Sequence, residues 1–107
     1  MSASADWLRA EHRRGHAAIA PEGAPWLIAE DWHVHALTRA GQEVRIVALW
    51  AKHPRQGAFR RLVAGIRAAG LTPVVVEPFG AMRPILERWG WQPLEVDCEE
   101  QWRPPGA

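Results

Sequence analysis

The sequence predicts an α/β class: a single domain in which helices pack on one mixed sheet. The first observation is the stretch Val44 to Ala69, which reads as a strand, a tight basic loop and a helix. Val44, Ile46, Val47, Ala48, Leu49 and Trp50 form an almost continuous apolar run, as in a strand covered on both faces. The second is Thr72 to Glu77, another short apolar run. It follows a helix of about a dozen residues, so the strand–helix–strand unit should be parallel and right-handed. The third is Trp26 to Thr38. It looks extended and reaches the central strand through Arg39-Ala40-Gly41-Gln42, a hairpin connection that makes the sheet mixed.

In chain order, Met1 to Ala5 is small and polar and reads as a frayed end. Asp6 is placed to cap a helix running to about His16, with Trp7 and Leu8 in its first turns. Pro21 to Pro25 is a loop by its proline and glycine content. Pro54 stops the central strand, and Arg55, Gln56 and Gly57 make the turn. Phe59, Leu62, Val63 and Ile66 then mark one face of a helix spanning Ala58 to Ala69, with Arg60, Arg61 and Arg67 on other faces and Gly70 at its end. Gly80 to Trp89 repeats the pattern with Met82, Ile85, Leu86 and Trp89. Pro84 is tolerated there because it lies in the opening turn, and Gly90 closes the helix. Trp91 to Val96 is a last strand, and Asp97 onward reads as an exposed tail.

The chain has 107 residues, enough for one small domain that buries roughly two-thirds of its unfolded surface. A net charge of +1 gives no broad field for nucleic acid or anionic membrane. Lys52 is the only lysine beside twelve arginines, a bias that weakens the case for any one arginine as a selected phosphate ligand. Cys98 is the only cysteine, which fits a reducing compartment, and a partly buried structural thiol is expected there. No apolar stretch approaches the roughly 20 residues that span a bilayer, and no signal-peptide pattern opens the chain, so a cytoplasmic protein is expected. Seven tryptophans accompany no tyrosine. Trp50 and Trp89 fit the core by periodicity. Trp26, Trp32, Trp91 and Trp102 exceed what so small a domain should bury, and the surplus points to a contact surface for a protein partner or for self-association, with Trp32 and Trp91 the first candidates.

The order of elements from Trp26 to Val96 resembles the core of the GNAT superfamily of N-acetyltransferases. The segment Ile85-Leu86-Glu87-Arg88-Trp89-Gly90-Trp91 is similar to the family's L-Y-x-x-x-G-F ending of the second helix, and an Ala-Ala-Gly run precedes a hydrophobic strand as it does there. Small GNAT-like proteins also occur in tailed bacteriophages, and the stretch Gly70 to Trp91 has that look. The resemblance implies a loop that cradles the pyrophosphate of acetyl-CoA, here Arg55, Gln56, Gly57, Ala58, Phe59 and Arg60. The family loop, Q/R-x-x-G-x-G/A, has more glycine than this one. Leu86 stands where active members often carry the tyrosine that protonates the leaving thiolate, and the asparagine that often precedes it falls near Phe79.

Two functions follow from the resemblance. One is an acyl-CoA-dependent N-acyltransferase in which Glu77 or Glu30 takes the amine proton. The other is a catalytically inactive GNAT-like interaction or assembly module, as in a phage particle. His33 and His35, two apart on a strand, should point to one face, with Glu30, Asp31 and His53 as candidate neighbours. A zinc site needs three or four converging ligands, so no metal is assigned. His12 and His16, at helical spacing with Gly15 between them, are assigned none either.

Overall fold

The computed structural model describes residues 9–78 and 80–106. Six strands form one mixed sheet in the spatial order β1-β2-β3-β4-β6-β5. They are β1 (Ala17–Ala18), β2 (Trp32–Ala40), β3 (Glu43–Ala51), β4 (Thr72–Val76), β5 (Gln92–Val96) and β6 (Glu99–Arg103). The helices are α1, of which residues 9–13 are described, α2 (Ala58–Ala68) and α3 (Met82–Arg88). Asp6, Trp7, Leu8 and Phe79 lie outside the described residues. Among the described residues, no helix is long and apolar enough to cross a membrane.

The β3–α2–β4 unit forms as its sequence pattern requires. β3 and β4 are adjacent and parallel, paired from Glu43↔Thr72 to Ile46↔Val75. Leu62, Val63 and Ile66 of α2 are buried in a core with Leu37, Val44, Ile46 and Val75. The β2–β3 hairpin turns at Gly41-Gln42, with a positive φ of 61° at Gly41. Both later helices end on a glycine in the left-handed region. Leu71 N–H donates to Ile66 O and Gly70 N–H to Arg67 O. Trp91 N–H to Leu86 O and Gly90 N–H to Glu87 O repeat the arrangement. Each is a Schellman closure, and each brings an apolar residue after the glycine toward one in the last turn.

Several expectations are corrected. The strand expected from Trp26 starts at Trp32, because residues 29–31 form a 3₁₀ turn. Trp26 instead packs on Gly65 of α2, where an added Cβ would stand 2.5 Å from the Trp26 Cβ. The expected tail after Asp97 is β6, which lies between β4 and β5 and pairs with both. Trp50 is 63% exposed rather than core, whereas Trp32, Trp91 and Trp102 are buried. Trp50 shares a pair with Val34 on the face that α2 does not cover, so a run apolar on both faces does not ensure cover on both. The expected surface tryptophans Trp32 and Trp91 are thus core residues.

Cys98 is exposed, not partly buried. Asp97 (φ 51°) and Cys98 (φ 64°) make the two-residue turn between β5 and β6. Two positive φ values mark a turn that prefers Asp-Gly. Cys98→Gly should therefore stabilise the fold by about 0.5–1 kcal/mol through relief of the left-handed side chain. A urea midpoint that falls in this variant would contradict the assignment.

Candidate functional site between two parting strands

Val47 has no partner residue in the β2–β3 ladder. Ala36 pairs with Ala48 and Leu37 with Ile46, so Val47 is the extra residue of a β-bulge. A bulge bends its strand and increases the local twist. The ladder between β3 and β4 stops at the same point, its last pair being Ile46↔Val75. Beyond it the two parallel strands diverge, and a cleft lined by Val47, Leu49, Val76, Pro78 and Met82 opens between them. Its free volume is about 40 Å³, on the order of three waters. The cleft lies at the carboxyl ends of parallel strands, where α/β sheets place their ligands.

The basic loop leaves β3 at this end. Arg55 (φ 67°) and Gly57 (φ 79°) both adopt the left-handed region, and Arg55, Gln56 and Gly57 are exposed. Gly57 is the N-cap of α2, with no side-chain cap. The first helical bond runs from Arg61 N–H to Gly57 O. The N–H groups of Ala58, Phe59 and Arg60 therefore have no acceptor among the described residues. Free donors at a helix start, after a loop of alternating backbone hand, make an anion cradle.

The side chains of the loop divide. Arg61 braces it, donating from Nη1 to Gln56 O (2.6 Å) and approaching Asp31 Oδ2 at 3.5 Å from Nη2. Lys52 N–H donates to Asp31 O, which ties the 3₁₀ turn of residues 29–31 to the same loop. Phe59 stacks on Trp89 with centroids 5.2 Å apart, and the Arg60 guanidinium lies 5.2 Å from the Trp89 ring centre. Arg60, a member of the loop expected to cradle pyrophosphate, is thus engaged on Trp89 at the end of α3. Arg55 remains exposed in the loop.

Glu77 follows β4 directly and lines the cleft. It is exposed, with a φ of 48°. Its N–H donates to Glu100 O, and Glu100 N–H donates to its Oε1 at 2.8 Å. Arg83 holds Glu100 through both carboxylate oxygens, at 2.6 and 2.8 Å, and donates to Pro78 O at 3.0 Å. The structure so brings Glu77 and the basic loop to one end of the sheet. Glu30 is exposed in its 3₁₀ turn and does not line the cleft. Leu86 is fully buried in the core beneath α3. His33 is the extra residue of a second bulge, on β2, which removes the strict alternation behind the one-face expectation for His33 and His35. Its ring lies 5.1 Å from Trp50. Among the described residues no group of three or more His, Cys, Asp or Glu is placed to hold a metal.

The other face of the sheet carries polar groups that the sequence pattern did not reveal. Arg45 of β3 is 4% exposed. Its Nε donates to Glu11 Oε1 (2.7 Å), and its Nη2 donates to Glu11 Oε2 (3.1 Å) and to Glu99 Oε2 (2.7 Å). Thr38 adds a hydrogen bond to Glu11 (2.6 Å), His16 lies 3.1 Å from the same oxygen, Gln101 donates to Glu99 (2.9 Å), and Arg14 donates to both carboxylates. Burial pushes the Glu99 carboxyl up, but the hydrogen bonds from Arg45, Gln101 and Arg14 outweigh it and hold it at about 2. Glu11 is lowered as well, burial being outweighed by Arg45, Thr38 and His16.

A carboxyl whose folded pKa is depressed stabilises the fold above its unfolded value, near 4.3, and loses that contribution as pH falls toward the folded value. For Glu99 the difference amounts to about 3 kcal/mol, lost between about pH 5 and pH 2. Unfolding free energy should therefore drop steeply across that window, and Glu99→Gln should flatten the drop. A wild-type profile level from pH 6 to pH 3 would contradict the network. No family model matches the chain, and no curated protein or solved structure matches it.

Proposed function

We propose that the chain is a GNAT-like acyl-CoA-dependent N-acyltransferase, with the parting of β3 and β4 as the seat of the thioester arm. The observation that supports this reading is the bulge at Val47 and the cleft it opens, at the end of β3 from which the loop leads to the unpaired N–H groups of α2. A helix N-terminus alone contributes about 0.3–1 kcal/mol to an exposed anion. Micromolar binding needs about −8 kcal/mol. The apolar cleft, with a strand edge beyond Ile46 that no longer pairs with β4, provides the further contact that the loop lacks.

In this reading the N–H groups of Ala58, Phe59 and Arg60 hold pyrophosphate, with Arg55 as counter-charge. Acetyl-CoA would supply the activated acyl group. Glu77 would take the proton from the acceptor nitrogen as the acyl group passes to it. Leu86 offers no proton and is shut in the core, so the proton for the departing thiol would come from water.

The same buried Leu86 favours the second reading, a catalytically inactive interaction module that keeps the fold without the chemistry. Two variants test the binding that the first reading requires. Met82→Trp fills the cleft. Gly57→Val places a side chain at a φ of 79° and 3.4 Å from Arg61 Nη1, crowding the cradle. Each should weaken acetyl-CoA binding at least tenfold, with circular dichroism reporting whether the fold persists. Undiminished binding in folded Met82→Trp would remove the cleft from the account.

A further inference from the structure

We infer that a groove on the flank of α2 is a docking site for a short acidic peptide in polyproline II form. The groove has a volume of about 420 Å³ and lies between α2, the end of α3 and the segment after β6. Val63, Ala64, Trp89 and Trp91 line it together with Arg60 and Arg67, Val63 and Trp91 being largely buried and the two arginines exposed. None of these residues lines the cleft between β3 and β4.

The occupant follows from charge and shape. Arg60 and Arg67 are exposed, and among the described residues neither is in an ion pair. No carboxylate lines the groove. Seven residues of helix set the two arginines about 10 Å apart. A peptide in polyproline II form rises about 3.1 Å per residue with three residues per turn, so carboxylates at its first and fourth positions lie on one side, about 9 Å apart, and reach both guanidiniums. The apolar side chains between them fall on Val63, Ala64 and the two indoles. Tryptophan and arginine are also the residues that most often dominate protein–protein contacts.

A nucleic acid fits less well. Phe59 is stacked on Trp89 and the Arg60 guanidinium lies over its ring, each at 5.2 Å, so a base would have to compete with both for the indole. A net charge of +1 provides no field for a phosphate chain.

The test is fluorescence anisotropy of a fluorescein-labelled Asp-Leu-Phe-Asp peptide titrated with the full chain. Saturable binding is expected, weakened by added salt and weakened at least tenfold in Arg67→Glu and in Arg60→Glu. Arg67 is an exposed helix position, so its reversal leaves the fold intact, and it decides the matter if Arg60→Glu unfolds. The proposal is overturned if the peptide fails to bind at millimolar protein, if Lys-Leu-Phe-Lys binds equally, or if Arg67→Glu binds as wild type does. It is also overturned if an oligothymidylate binds more tightly than the peptide and loses that binding in Arg67→Glu.

Discussion

Replacement of Arg45 by methionine should destabilise the fold by about 3–5 kcal/mol, close to the whole stability of a small domain. The side chain is of similar length and apolar, so packing is largely kept. What is lost is the buried guanidinium between Glu11 and Glu99, 1% and 8% exposed. Arg14, 41% exposed in its side chain, reaches both carboxylates only from the rim, with its Nη1 2.9 Å from Glu99 and 3.4 Å from Glu11. Two carboxylates then face each other with little compensation, and a buried unpaired charge costs several kcal/mol. Adding Glu11→Leu and Glu99→Leu to Arg45→Met should recover much of the loss, because a buried ion network replaced as a whole by apolar groups can be neutral. Chemical denaturation of the single and triple variants checks both statements. A single variant within 1 kcal/mol of wild type would mean that the network does not hold α1 and β6 to the sheet.

Ile66→Ala should cost about 2–5 kcal/mol. Ile66 has no exposed surface and sits in the core beneath α2. Its removal leaves a cavity between helix and sheet that tight packing cannot close. Arg67→Ala, one residue on and exposed, should stay within about 0.5 kcal/mol. Urea melts of the pair distinguish the helix faces, and equal losses would show that α2 is turned the other way.

These two residues mark what the sequence makes legible and what it hides. Ile66 is found from periodicity, because a helix face repeats every three to four residues and apolar burial is local information. The same holds for the β3–α2–β4 unit, for α3, and for the glycines that close both helices. β6 is hidden because Glu99-Glu100-Gln101-Trp102-Arg103 has one apolar residue among five. It is nevertheless an interior strand, because Arg45 and Arg83 neutralise its carboxylates from β3 and α3. Those partners lie 54 and 17 residues away, and no local pattern reports a pairing at such separation. Trp50 misleads for a related reason: a continuous apolar run does not say which face a helix covers.

The candidate site divides in the same way. The loop and Glu77 follow from residue type and position at strand ends. The bulge at Val47 does not, since it depends on how β2 registers against β3. Met82 reads only as a helix-face residue until the strands are seen to part. Arg60 looks like a phosphate ligand in sequence and is held on Trp89 instead, because Trp89 at the end of α3 comes within reach only in the folded chain.

Calorimetric titration of the wild-type chain with acetyl-CoA tests the central claim most directly. The cleft and the helix start together should give saturable heat with one site per chain, and Arg55→Ala should weaken the binding and reduce its dependence on salt. Heats indistinguishable from dilution up to millimolar acetyl-CoA would contradict the acyltransferase reading and leave the inactive interaction module in its place.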